Sequence, residues 1–296
     1  MQSYPQIART MVEDMARIAT DAPERTIAFQ GAPGAYSHIA ARQFAPNWHP
    51  LPCYSFEDAM DAVKDGRAAR AIIPIENSQH GRVADIHFLL PESGLTIVAE
   101  YFLPVRHCLL ARGDGPYRAA ISHPQALGQT RHYLRAQNIQ PMTYADTAGA
   151  AAFVAESDDP ALCAVASRLA GEVFGLKIVA EGIEDADHNM TRFVVLAGHR
   201  DDPMPGEGQA MTTFIFEVKN IPAALFMALS GFATNGINMT KLESYIRGGS
   251  FSAAEFYADI DGMPGDPAVD RALEVLGHHS KWVRILGSYP QALPRA

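Results

Sequence analysis

TIAFQGAPGAYS, residues 26–37, sets how the rest of the chain is read. Residues 26–29 have strand character and run directly into a turn with two glycines, after which a helical pattern begins. A strand that passes through a glycine turn into a helix is the building step of an α/β unit. The alternation continues outward from it. AIIPI (71–75) reads as a strand that ends at a loop, and 95–102 and 105–110 as further strands. After a strand at 119–122, the spacing predicts a helix over 124–137. Residues 148–155 are apolar at helical spacing, 161–166 read as a buried strand, 166–174 as a helix and 192–196 as a strand. This order predicts an α/β architecture with mainly parallel sheets. Residues 1–25 read as an accessory helix, an N-terminal extension before the first core strand.

The polar stretch RDDPMPGEGQA (200–210), with two Pro and two Gly, interrupts the pattern and is read as a linker at 201–210. Beyond it, TTFIFEVK (212–219) alternates as a strand. Pro222 is read as opening a helix that runs to 234, because proline in a first turn lacks an N–H that would go unpaired anyway. A turn at Asn235-Gly236 leads to strands at 237–246 and 254–261. A helix then starts at Asp266-Pro267 and runs to about 279, and a last strand spans 281–286. The order βαββαβ is the ferredoxin-like motif. The organisation expected is thus an extension (1–25), an α/β part (26–200), a linker (201–210) and a ferredoxin-like unit (211–290).

At 296 residues, two domains fit the length prior of roughly 100–200 residues each. Hydrophobic residues make up 48% and charged ones 19%, which is globular composition rather than that of a disordered chain. The 24 Lys+Arg against 33 Asp+Glu leave a formal charge of −9, without the basic footprint that nucleic acid or an anionic membrane requires. A small anion held by local donors stays compatible with that charge. Cys53, Cys108 and Cys163 are odd in number, far apart and without CxxC spacing. They predict reduced, inert thiols in a cytoplasmic protein with no metal site. The first 25 residues lack the apolar core of a signal peptide, and no run approaches the ~18 apolar residues of a membrane span.

Four motifs carry candidate chemistry. In GAPGAYS (31–37), Gly34 and Ser37 sit at a strand-to-helix turn whose backbone N–H groups can hold an anion; a tight turn with a serine cap explains the same residues. It is not the GxGxxG nucleotide fingerprint. In PIENSQHGRV (74–83), Glu76, Asn77 and Ser78 follow a strand, where open α/β sheets place ligands; a turn capped by Asn and Ser is the plainer reading. In SHPQALGQ (122–129), Ser122 can cap the next helix, which leaves Gln129 unexplained. In NMTRF (189–193), Arg192 is a natural carboxylate clamp or the partner of an acid in 181–187.

Taken in order, GAPGAYS, PIENSxxGxV, SHPQALxQ, the stretch Thr147-Ala148-Gly149-Ala150-Ala151, Ile183-Glu184-Asp185, NMTRF and the closing LGSYP resemble a prephenate dehydratase over about residues 26–290. The C-terminal unit, with Gly236-Ile237-Asn238-Met239-Thr240-Lys241-Leu242-Glu243-Ser244, is similar to an ACT regulatory domain. The resemblance implies a two-lobed, periplasmic-binding-protein-like catalytic domain with the site between lobes, followed by the ACT domain. It implies decarboxylation and dehydration of prephenate to phenylpyruvate, on the route to phenylalanine. Electrons released with CO2 expel the ring hydroxyl, so no cofactor is required. Hydroxide leaves poorly, so a donor is needed at that oxygen. The resemblance puts catalysis at Thr191, as a positioned donor or as a relay to a better acid, with Glu76 as that acid if burial raises its pKa. Asn77, Ser78, Ser122 and Gln129 become substrate hydrogen bonders, and Arg192 clamps a carboxylate or orders its loop. Gly34, Ser37 and Thr147 line the substrate site, with Phe193 against the ring or in the core.

The same resemblance implies that L-phenylalanine binds the ACT domain of a homodimer or homotetramer and feeds back on the site. Ala223, Ala224, Leu225, Asn235, Asn238, Glu243 and Ser244 are the positions concerned. The family's Gly-Ala-Leu-Val is here Ala223-Ala224-Leu225-Phe226, and its Glu-Ser-Arg-Pro is Glu243-Ser244-Tyr245-Ile246. The first change adds a Cβ and the second removes a cation and a rigid bend. Two other readings fit the motifs: an arogenate dehydratase with the same chemistry, and a two-lobed sensor that binds without reacting. The 25 residues before the first strand are too few for an appended chorismate mutase.

Overall fold

The computed structural model describes residues 4–83, 86–199, 209–246 and 254–294. In chain order the elements are α1 (Gln6–Asp21), β1 (Thr26–Gln30), α2 (Tyr36–Phe44), β2 (His49–Cys53), α3 (Phe56–Lys64), β3 (Arg70–Asn77), β4 (Gly81–Arg82), α4 (Ile86–Ser93), β5 (Thr96–Pro104), β6 (Cys108–Ala111), β7 (Ala119–Ser122), α5 (Pro124–Gln129), α6 (Arg131–Ala136) and β8 (Gln140–Thr143). They continue as α7 (Thr147–Glu156), β9 (Leu162–Ala166), α8 (Arg168–Phe174), β10 (Lys177–Glu181), β11 (Met190–Ala197), β12 (Ala210–Val218), α9 (Ala224–Thr234), β13 (Met239–Ile246), β14 (Ala254–Asp261), α10 (Pro267–His279) and β15 (Ser280–Pro290).

These strands form three sheets. The first runs β2-β1-β3-β11-β5 with β4 paired to β3, the second β10-β6-β9-β7-β8, and the third β13-β14-β12-β15. The parallel expectation holds where β1 joins β2 and β3, and where β7 joins β8 and β9. It fails at β6, which pairs antiparallel with both β9 and β10. β6 enters this sheet from β5 of the first sheet, not through a βαβ crossover from one of its own neighbours β9 and β10, so no such connection imposes the parallel direction on it. The third sheet is antiparallel along β12–β14, β12–β15 and β13–β14, as a βαββαβ unit requires. By contacts the chain divides into two units, Met1–Val83 with Tyr101–Phe193, and Ala84–Glu100 with Val194–Ala296.

Within the first unit, side-chain alternation along β9 builds core on both faces of its sheet. Leu162, Ala164 and Ala166 pack on one face, Cys163 and Val165 on the other. α7 is alanine-rich and buried on most sides, and its small residues let it lie close against β9 and α8. Tyr4 and Ala8 join that same cluster, and the Ile7 N–H donates to Glu156 Oε1 (2.6 Å). The N-terminal helix is therefore part of the core, a difference from the accessory segment expected of residues 1–25. Within the second unit, Phe214, Phe216, Phe256 and Ile260 of the sheet pack on Ala228, Phe232, Val269 and Leu276 of α9 and α10. A Cβ on Gly231 would lie 2.7 Å from Val275 Cβ, so glycine there lets the two helices approach.

Other boundaries shift for local reasons. The helix expected over 124–137 is two: Thr130, at φ −124°, ends α5 and its hydroxyl donates to Ala126 O (2.9 Å). α9 starts at Ala224 instead of Pro222, because Ala223 sits at φ 61°. β3 continues through Asn77 instead of ending at a loop, since it pairs with β4. β2, α3, α4, β8 and β10 were not legible; β2 carries two prolines, α4 an internal Pro91, and β8 is exposed throughout. The linker read at 201–210 lies outside the described residues up to 208, and β12 already begins at Ala210. No helix among the described residues is long and apolar enough to cross a membrane.

Candidate active site

Asn77 closes β3, and its amide is anchored at both ends. Oδ1 accepts from the backbone N–H groups of Gln79 (3.0 Å) and His80 (3.1 Å), an Asx turn that makes the β3–β4 hairpin. With the oxygen so held, Nδ2 faces the start of β11 and donates to Asn189 Oδ1 (2.8 Å), Met190 O (3.3 Å) and Thr191 Oγ1 (3.1 Å). Thr191 Oγ1 thus acts as acceptor toward Asn77, and its own proton is left for another acceptor. Ser78 welds the same junction. Its N–H donates to Met190 O (2.9 Å), its hydroxyl donates to His188 O (2.8 Å), and it accepts from the Met190 N–H (2.9 Å). Both capacities of that hydroxyl therefore go to backbone.

Glu76 is one-third exposed, and Arg192, whose side chain is buried, brings Nη1 to 4.0 Å from its Oε2. The relay role asks for enclosure, and this carboxyl is partly open to solvent with a guanidinium facing it. Gln129, at the end of α5, brings Nε2 to 3.1 Å from His80 Nδ1 and Oε1 to 2.8 Å from His107 Nε2. His80 Nδ1 is also 3.3 Å from Asn77 Oδ1. His107 Nδ1 is 2.7 Å from the Tyr36 hydroxyl, which lies 2.8 Å from Arg106 O. Burial holds the His107 imidazole below its usual pKa and pushes the Tyr36 phenol up. Glu184 receives Arg106 Nη1 (2.6 Å) and the His107 N–H (2.9 Å); burial works to raise its carboxyl, but these hydrogen bonds outweigh it and hold the group low.

The structure thus brings together Glu76, Asn77, Ser78, Gln129, Thr191 and Arg192. It joins to them His80, Tyr36, His107 and Asn189, which had not been singled out. Tyr36, His80 and Asn189 lie inside the quoted motifs, where a helix residue, a turn residue and a loop residue carried no signal of their own. His107 precedes Gln129 by 22 residues, with nothing local to mark it.

The other expected residues sit apart from this network. Gly34, at φ +89°, lies so close to α8 that a Cβ would come 2.7 Å from Ala170 Cα. Its N–H donates to His38 Nδ1 (3.0 Å) and its carbonyl accepts from Ser167 Oγ (2.6 Å), so the turn's free donors are partly spent. Ser37 is buried within α2 and does not cap it; the N-cap is Ala35, with no side-chain bond. Ser122 is fully buried and donates to Val165 O (2.5 Å), while His123, not Ser122, caps α5. Thr147 is the first residue of α7, capped by Asp146 through the Gly149 N–H (2.7 Å). Phe193 is in the core.

In the second unit, Glu243 on β13 lies 3.1 Å from His87 Nε2 of α4 and 3.1 Å from Lys241 Nζ. His87 beside it is the main cause that holds its carboxyl at about 2. Asn235 caps α9, its Nδ2 donating to Gly231 O (2.8 Å) and its Oδ1 accepting from Arg271 Nε (2.8 Å). Asn238 Nδ2 donates to Asp261 Oδ2 (3.0 Å). Ala224 is buried, Leu225 packs on the core, and Ser244 is exposed. A cavity of about 290 Å³ is lined by Val218, Lys219, Ile221, Ala223, Ala224 and Leu225, among others.

Among the described residues no cluster of three or more His, Cys, Asp or Glu is placed to hold a metal. The three cysteines are buried, and burial pushes the thiols of Cys53 and Cys163 up to about 12 and that of Cys108 to about 11, which keeps them inert.

A family model described as prephenate dehydratase matches residues 27–201. A bifunctional N-acyl-homoserine lactone acylase/prephenate dehydratase of Komagataeibacter europaeus is 48% identical over 271 residues, 90% of this chain and 96% of that protein. The chloroplastic arogenate dehydratase/prephenate dehydratase 2 of Arabidopsis thaliana is 38% identical, over 89% of this chain and 72% of its own. The crystal structure of a prephenate dehydratase from Arthrobacter aurescens in complex with L-Phe superposes with a TM-score of 0.83 at 30% identity, covering 92% of each chain.

Proposed function

This chain belongs to the prephenate dehydratase family of lyases, and from that premise we propose how its own residues carry the decarboxylative dehydration of prephenate. The observation that carries the reading is the bond from Asn77 Nδ2 to Thr191 Oγ1. It fixes the lone-pair side of the threonine, so the Thr191 proton serves as the donor to the departing ring hydroxyl. The C–CO2 bond breaks, its electron pair moves through the ring, and the C–O bond opposite breaks. The oxygen leaves as water after taking a proton through the Thr191 hydroxyl, a proton from solvent restores that hydroxyl, and phenylpyruvate and CO2 result. Charge that builds on Oγ as its proton is shared outward is stabilised by the Asn77 donor, which is in place before the reaction. Gln129 hydrogen bonds the substrate at the edge of this centre. Arg192 orders the loop through Glu76, a role supported by their 4.0 Å approach. Ser78 holds the β3–β11 junction, as its backbone bonds support. Ser122 supports its strand, and Gly34, Ser37 and Thr147 shape the substrate site.

The βαββαβ unit serves as an ACT regulatory domain that takes L-phenylalanine in a homodimer or homotetramer, and the enzyme works in the cytoplasm. Support comes from the antiparallel β13-β14-β12-β15 order and from the relative solved with L-Phe. Added prephenate should give the absorbance of phenylpyruvate with native protein and lose it with Thr191→Val. Native protein that makes neither phenylpyruvate from prephenate nor phenylalanine from arogenate would replace this reading with the sensor.

A second activity is favoured by the 48% identical relative named for both functions. Release of homoserine lactone from an N-acyl-homoserine lactone would establish it. Comparing kcat/KM for prephenate and arogenate ranks the two ring substrates.

A further inference from the structure

Tyr36, His107, Gln129 and His80 form one unbroken chain of polar contacts that ends on Asn77, the partner of Thr191. The protons on this chain can be counted. Tyr36 has one, a neutral imidazole has one N–H, and the Gln129 amide has a donor end and an acceptor end.

Two arrangements fit the positions. In the first, His107 Nε2–H donates to the Gln129 oxygen. His107 Nδ1 then needs the Tyr36 proton, and Arg106 O loses it. The Gln129 nitrogen meanwhile donates to His80 Nδ1, which leaves that acceptor facing the Asn77 oxygen at 3.3 Å, where two lone pairs repel. In the second, the Gln129 amide is turned end for end. Tyr36 donates to Arg106 O, His107 Nδ1–H donates to the Tyr36 oxygen, the Gln129 NH2 donates to His107 Nε2, and His80 Nδ1–H donates to the Gln129 oxygen and toward Asn77 Oδ1. Every contact then sets a donor against an acceptor, with the His80 proton shared between two oxygens, so the second arrangement is the consistent one. It needs a neutral His107, which that residue's burial favours.

We propose that Tyr36 and His107 are positioning residues for the Thr191 centre, acting through Gln129, His80 and Asn77. The proposal rests on the reading of Thr191 given above. Tyr36 selects the Nδ1–H tautomer of His107, that tautomer orients the Gln129 amide, and the amide oxygen holds His80 as its Nδ1–H form. The two histidines set the direction of the Gln129 dipole beside the reacting atoms without touching them.

The test joins spectroscopy to kinetics. In native protein at neutral pH, 15N-histidine spectra should show His107 and His80 protonated at Nδ1. In Tyr36→Phe the His107 signals should move toward the Nε2–H form. His107→Asn keeps a group for Tyr36 and loses the one that meets Gln129, and should lower kcat by about 10- to 100-fold with KM little changed. His107→Gln restores a polar end near the Nε2 position and should recover most of that loss. An Nε2–H tautomer for His107 in native protein would overturn the proposal whatever the variants do. So would a folded His107→Asn with native kcat. Native protein that makes no phenylpyruvate would sink the reading of Thr191 instead, and the spectra would still decide the tautomers.

Discussion

Asn77 and Thr191, 114 residues apart in the chain, meet at 3.1 Å, with the amide donating to the hydroxyl. The direction of that bond is set by two backbone N–H groups that hold the Asn77 oxygen. A substitution that keeps the oxygen removes the donor, together with its bonds to Asn189 Oδ1 and Met190 O. Asn77→Asp should leave the hairpin folded and lower kcat by about 10²- to 10³-fold, the usual loss for one preorganised donor. Steady-state rates together with a thermal melt check this.

The hydroxyl itself is the next variable. Thr191→Ser keeps the donor and should keep kcat within about tenfold, while Thr191→Val should cost about 10²-fold or more. Equal rates for the serine and valine variants would remove Thr191 from the proton path.

Gly34 is tied to α8 by sterics. A side chain at φ +89° is strained, and its Cβ would strike the Ala170 backbone at 2.7 Å. Gly34→Ala should destabilise the protein by about 1–3 kcal/mol or more, read as a lower midpoint of urea unfolding.

Ala223 presents the reverse case. It holds φ 61° with a Cβ present, at the position where the family pattern has glycine. Ala223→Gly should raise stability by about 1 kcal/mol, measured by the same unfolding midpoint.

Glu243 makes stability depend on pH. Its carboxyl, held at about 2 in the fold chiefly by His87, has an ordinary value of 4.5. The ionised form therefore stabilises the folded state above the ordinary value, and that contribution is lost as pH falls through the folded one. The stability difference between native protein and Glu243→Gln should shrink as pH falls from about 4.5 to 2. A difference that stays constant down to the acid end would rule out the Glu243 carboxylate as its source.

The chemistry was largely legible in short motifs, because a strand end followed by Glu76, Asn77 and Ser78, or a Thr191-Arg192 pair entering a strand, is a local pattern. The roles within them were not. Ser78 and Ser122 looked like ligand donors, yet their hydroxyls are taken by backbone that lies 110 and 43 residues away. Glu76 looked like an acid in search of burial, and the guanidinium that faces it comes from the far end of the α/β part.

What the amino-acid order determined by itself was the succession of elements, since hydrophobic period and glycine turns act over a few residues. It reached β1, β9, β14 and α10 nearly to the residue, and the βαββαβ order after 210. Only the tertiary structure decided that β6 turns antiparallel, that Tyr4 and Ala8 enter the core, and that Tyr36 and His107 reach Asn77 through Gln129 and His80. Strand direction, burial and the partner of a proton are properties of surfaces that meet across the fold. They depend on residues far apart in sequence, and no local pattern encodes which surfaces those will be.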